Sequence, residues 1–198
     1  MISAQQEKII RGEICPYCYQ IPEKVSSVEI YGTDYGDIMI CRACNAYVGC
    51  HKDTNLPKGR LANAHLRVSK IIAHGAFDQL WKEKAIIQLL PIIEINELGF
   101  RKASYKFLAR ELHLDEQYCH IGMFDTELCE ETYKIVKYAL KGHFKDFWIG
   151  ARKKPIYLRE LSIDHLMNIQ NMLTNEKWKE RFWYMILIDG VQTEIKSR

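Results

Sequence analysis

"CRACNAYVGCHKDT", residues 41–54, places three cysteines and a histidine within fourteen positions. Which of the four hold a metal decides the fold. Cys41 and Cys44 form one C-x2-C pair, and Cys15 and Cys18, in "CPYC", form another, with 22 residues between the pairs. Each pair sets two thiolates on one tight turn, and four thiolates in a tetrahedron suit zinc, with Zn–S near ~2.3 Å. A thioredoxin-like redox pair leaves the second C-x2-C unexplained. A rubredoxin-like iron site uses the same thiolates, but its knuckles usually continue with Gly, where Tyr19 and Asn45 follow here. Zinc is the better match. Four cysteines fill the coordination sphere and leave no position open to water, so the expected Zn2+ is structural. Cys50 and His51 fall beyond the second knuckle. Cys50 reads as a small core thiol, and His51 stands at the ribbon's exit with a local hydrogen bond as its simplest role.

Around the cysteines the chain reads as a hairpin. "SSVEIYG" and "GDIMIC" have the β-branched and aromatic content of strands, and "TDYG" has the content of a turn. The expected unit is a four-cysteine zinc ribbon. "KDTNLPKG" is a loop. A helix is expected from about Leu61 to Lys84, with Leu61, Ala64, Val68, Ile71 and Ile72 as its apolar stripe and Asp78 capping a restart after Gly75. "RKASYKFLARELHL" and "TELCEETYKIVKYAL" predict two further helices joined by "DEQYCHIGMF". Periodicity fades in "GHFKDFWIGARKKP", residues 142–155, which marks a boundary. Beyond it lie a short strand "IYLREL", a helix capped at Ser162 and an apolar segment around "WYMILI". The fold expected is α+β: the ribbon over residues 1–55 packed on a mainly helical body over 56–141, with a small α/β module over 142–198.

Hydrophobic residues make up 47% and charged residues 27% of the 198, as in a globular protein. No apolar run approaches the ~18 residues of a membrane helix, and "MISAQQEKIIRGE" lacks the apolar core of a secretory signal. These point to a cytoplasmic protein without a membrane partner. The seven cysteines, in a reducing compartment, favour metal ligation over disulfides. Net charge is +3 but unevenly spread: residues 51–110 carry 11 basic and 5 acidic side chains, and residues 111–140 carry 2 and 7. That asymmetry permits a face for a polyanion.

"YGTDYG", "CRACNAYVGCHKDT", "PKGRLANAHLR", "AHGAFDQLW" and "YKFLAREL…CHIGMFD", in that order over residues 13–130, resemble a zinc-finger-containing domain of uncharacterised bacterial and phage proteins. The resemblance implies zinc on Cys15, Cys18, Cys41 and Cys44, in agreement with the spacing, and implies no particular reaction. Lys58 stands where the family phrase has Leu.

Two readings of the polar residues after the ribbon stay open. Arg60, Arg67, Lys70 and His74 fall at helical spacing and suit successive phosphates of DNA or RNA, or they form a solvated polar face. His51, His74 and Asp78 are a possible functional polar cluster, for a second divalent ion or acid–base work. No H-E-x-x-H or phosphate-cradling pattern accompanies them, which leans against catalysis. A helix-turn-helix reader in residues 111–140 is disfavoured by Glu127, Glu130 and Glu131 on its second helix. The leading expectation is a nucleic-acid-binding zinc ribbon of phage or bacterial origin. A metal-dependent nuclease and an adaptor for a host or phage protein are the alternatives.

Overall fold

The ribbon is three strands rather than two. β1 (Glu23–Ser26) pairs antiparallel with β2 (Asp37–Cys41), which pairs antiparallel with β3 (Ala46–Gly49). The stretch "SSVEIYG", expected as a strand, instead contributes only Ser26 to the ladder. After the last pair, Ser26↔Asp37, the chain leaves the sheet, and the Tyr35 backbone N–H donates to the Ser27 hydroxyl at 2.7 Å. Residues Val28–Tyr31 then coil into a single helical turn, α2, closed by Gly32 in the left-handed conformation, φ 66°. With no strand beyond Asp37 to bond to, the β-branched content of this segment cannot build a ladder.

The computed structural model describes residues 2–149, 155–174 and 182–198. These fall into two units, residues 1–139 and 140–198. In the first, a short helix α1 (Ala4–Ile10) precedes the ribbon, with Ser3 and Gln6 forming a reciprocal capping box. Four helices follow: α3 (Ala64–Trp81), α4 (Ile92–Leu98), α5 (Phe100–Glu111) and α6 (Thr126–Leu140). Asn63 caps α3 through its side chain, which accepts from the Leu66 N–H at 2.9 Å. The helix runs unbroken through Gly75, so Asp78 caps no restart and lies within it. Its buried face is Leu66, Ile72, Ala73, Ala76, Phe77 and Leu80, while Val68 is 47% exposed. The apolar stripe is therefore rotated from the one read in the sequence, because Leu61 precedes the helix and is buried with the cysteine cluster.

Residues 116–118 and 121–123 form two 3-10 turns between α5 and α6. The chain leaving β3 folds back through bridges Cys50↔Pro57 and Tyr47↔Ala62 and crosses these turns. The crossing is very tight. A Cβ on Gly59, φ +141°, would lie 2.5 Å from the Gly122 carbonyl carbon, and one on Gly12 would lie 2.9 Å from Pro57 Cβ. No side chain fits between these backbones.

In the second unit, β4 (Phe147–Ile149) pairs antiparallel with β5 (Pro155–Tyr157). Ser162 caps α7 (Ile163–Leu173) as expected, accepting from the His165 N–H. A last helix, α8 (Phe182–Lys196), continues through Gly190. Leu158, Leu161, Leu166, Ile169, Leu173 and Val191 make this unit's own core. The basic residues 152–154 of the expected boundary segment lie outside the described residues.

Candidate metal centre and the cationic cleft beside it

Both knuckles are shaped by the residue after their second cysteine. Tyr19 (φ 61°) and Asn45 (φ 47°) adopt the left-handed conformation that glycine takes in comparable knuckles. In the first, the Tyr19 N–H donates to the Cys15 carbonyl at 2.9 Å, and the Cys15 N–H donates to the Gln20 carbonyl at 2.9 Å, closing the turn. In the second, the Asn45 N–H donates to the Arg42 carbonyl. The result converges all four sulfurs: each lies within 4.8 Å of the others, and Cys18 Sγ and Cys41 Sγ are 3.5 Å apart. A tetrahedron with ~2.3 Å Zn–S bonds has S···S edges of about 3.8 Å, so the set fits zinc. Cys15 and Cys41 are buried, with Ala46 and Leu61 packed beside them. The hydrogen bond with the Gln20 backbone lowers the Cys18 thiol to about 7, whereas hydrogen bonding with Cys18 pushes Cys44 up to about 12. Four adjacent thiols resist ionising together, and a dication removes that resistance.

A zinc-finger-containing domain model matches residues 11–139, about two thirds of the chain. The chain belongs to that family. No curated protein and no solved structure matches it. In this zinc-finger-containing domain, Cys50, Cys119 and Cys129 are buried thiols outside the cluster. Among the described residues, the four cysteines are the one group of His, Cys, Asp and Glu side chains whose ligand atoms converge. His51, His74 and Asp78 are not brought together as a second such group.

The residues expected to form a basic stripe are largely engaged within the fold. Arg60 pairs with Asp125 at 2.9 Å, its side chain only 17% exposed. Arg67 donates to the Ala62 carbonyl at 2.6 Å and lies over the Tyr47 ring, 4.1 Å from its centroid. Lys70 is an interior clip: its ammonium donates to the carbonyls of Arg60 (3.2 Å) and Gly122 (2.6 Å), and burial lowers its pKa to about 8. Asp78 accepts from Trp81 Nε1 at 2.9 Å and pairs with Lys82. Packing of α3 against the 121–123 turn draws Arg67, Lys70 and His74 inward, and Arg60 precedes the helix, which helical spacing alone does not reveal.

His74 is held neutral. Burial lowers its pKa to about 4; Asp78 opposes the shift, and His120, Arg101 and Lys70 reinforce it. Because the folded pKa lies below the unfolded value, the unfolded chain takes up the proton first on acidification. Stability should therefore fall as pH drops from about 6.5 toward about 4, by up to ~3 kcal/mol from this group. Denaturant titrations of the parent and of His74→Asn at pH 7 and pH 5 check this; an unchanged pH dependence in the variant refutes it.

Sequence reading missed a cleft of about 740 Å³ in the same unit. The ribbon exit contributes His51, Pro57 and Lys58, α5 contributes Arg101, Lys102, Tyr105 and Lys106, and the stretch between α5 and α6 contributes Glu116 and His120. Lys58, Arg101 and Lys102 are exposed and have no carboxylate partner among the described residues, while Lys106 pairs with Glu94 at 3.0 Å. Arg101 lies over the rings of both Trp81 and Tyr105. Its signal in sequence was the basic run "FRKASYK" of residues 100–106, whose partners across the cleft are distant in the chain.

Proposed function

We propose that this zinc-finger-containing domain binds nucleic acid through the cleft between the ribbon exit and α5. The observation that carries the reading is its uncompensated charge: Lys58, Arg101 and Lys102 stand on its walls against one lining carboxylate, Glu116. Cations left without carboxylate partners around a concave surface raise the local concentration of a polyanion and release its counterions on binding. Zinc acts here as architecture. It holds the ribbon from which residues 57 and 58 enter the cleft wall.

Arg101→Gln combined with Lys102→Gln should reduce DNA or RNA affinity about tenfold at low salt and lower the slope of log K against log[salt] by about 2. Fluorescence anisotropy between about 50 and about 200 mM salt measures both quantities. Absence of binding to any nucleic acid at low salt would overturn the reading. Arg60 and Lys70, engaged with Asp125 and with backbone carbonyls, should instead affect stability when replaced.

A further inference from the structure

The cleft wall ends a run of three rings that starts in the core. Phe77 is fully buried, its centroid 4.2 Å from that of Tyr105. Tyr105 stacks on His120, with centroids 5.2 Å apart and planes inclined by 23°. Tyr105 and His120 are half-buried, and both line the cleft.

The imidazole's protonation state follows from its backbone contact. The Gly122 N–H donates to His120 Nδ1 at 3.2 Å, so Nδ1 is an acceptor and the ring proton sits on Nε2. Burial, followed by Arg101, Lys70 and His51, also lowers its pKa and favours this neutral form. A neutral imidazole in a stack offers a π face and one N–H donor, which suits a nucleobase better than a phosphate. Cations line the same cleft around it: Lys58, Arg101 and Lys102, with Lys106 paired to Glu94. Cations flanking an aromatic platform are the arrangement by which proteins hold unpaired strands.

We infer that the cleft takes single-stranded nucleic acid, one unpaired base stacking on His120 while neighbouring phosphates lie against Arg101, Lys102 and Lys58. The volume suits a small ligand group, and a base-paired helix stays outside it. The inference rests on the nucleic-acid reading above and narrows it to unpaired strands.

The test uses the zinc-loaded full chain and three probes of equal length: an oligothymidylate, its abasic counterpart, and a duplex. The oligothymidylate should bind about tenfold more tightly than either of the others at the same salt. His120→Asn, whose side-chain oxygen can still accept from the Gly122 N–H, should remove that preference and leave abasic-strand affinity unchanged. Equal affinity for the oligothymidylate and the abasic strand overturns base entry, as does tighter binding of the duplex; in both cases the broader reading stands. If none of the three binds at low salt, both readings fall. The comparison of probes on the parent protein holds even if His120→Asn folds poorly.

Discussion

Stripped of zinc by a strong chelator, this zinc-finger-containing domain should lose amide-exchange protection across residues 15–50 while residues 163–173 keep theirs. The ribbon's strands are four to five residues long, and a sheet so small is marginal without a cross-link. The cluster at its metal end is built on the ligands themselves, Cys15 and Cys41 with Ala46 and Leu61, and Ile38 and Ile40 add only two buried aliphatic side chains. On the order of 10 kcal/mol of folding free energy rests on an ion bound by four thiolates. The second unit, with its core of Leu158, Leu166, Ile169 and Leu173, contains none of the ligands. Elemental analysis should give one zinc per chain, and Cys41→Ser should abolish stoichiometric binding. Full metal retention in that variant, or an unchanged exchange pattern after chelation, would contradict the assignment. Loss of the ribbon should also disorder the exit at residues 57–60 and, on the function proposed above, weaken nucleic-acid binding.

Gly59→Ala should be among the most damaging single substitutions in the first unit. Gly59 occupies φ +141°, and an added Cβ would sit 2.5 Å from the Gly122 carbonyl carbon and 3.0 Å from the Met123 nitrogen. These are backbone atoms that cannot rotate away. The dihedral strain and the overlap together should cost about 3–5 kcal/mol. The same displacement breaks the hydrogen bond from Arg60 N–H to the Gly122 carbonyl, 3.1 Å, and disturbs the Lys70 clip on that oxygen. Urea or thermal unfolding of the zinc-loaded protein measures the loss. Gly32→Ala provides the control: Gly32 is also left-handed, but a Cβ added there would meet nothing within 4 Å. It should cost about 1 kcal/mol through backbone strain alone. Equal costs at the two positions would show that the crossing is looser than described.

The metal centre was legible because its information is local. Two C-x2-C turns report their own geometry, and the 22 residues between them leave room for a hairpin. The third strand was less visible. Ala46–Gly49 is short and contains a glycine, and it is a strand because β2 offers it a ladder. The failure at "VEIY" has the same origin: residues with strand propensity coil when no partner strand is in reach. Of the basic stripe, Arg67, Lys70 and His74 lie on α3 whereas Arg60 precedes it, and spacing alone did not show which way the side chains face. Which side of a helix meets solvent depends on what packs against it, and the turn at 121–123 comes more than forty residues after α3 begins. The cleft was least legible of all, since Lys58, Arg101 and His120 adjoin only in the folded chain.

The glycine crossing also orders events during synthesis. The knuckles close over residues 15–44, so a nascent chain can capture zinc once its first fifty residues have emerged. Gly59 waits for Gly122, a closure over more than sixty residues that carries a far larger entropic penalty than any turn within the ribbon. Metal capture and completion of the cleft are thus separated in time by the synthesis of α3, α4 and α5. A ribosome-bound chain ending shortly before Gly122 would hold its ion and still lack the backbone N–H that orients His120.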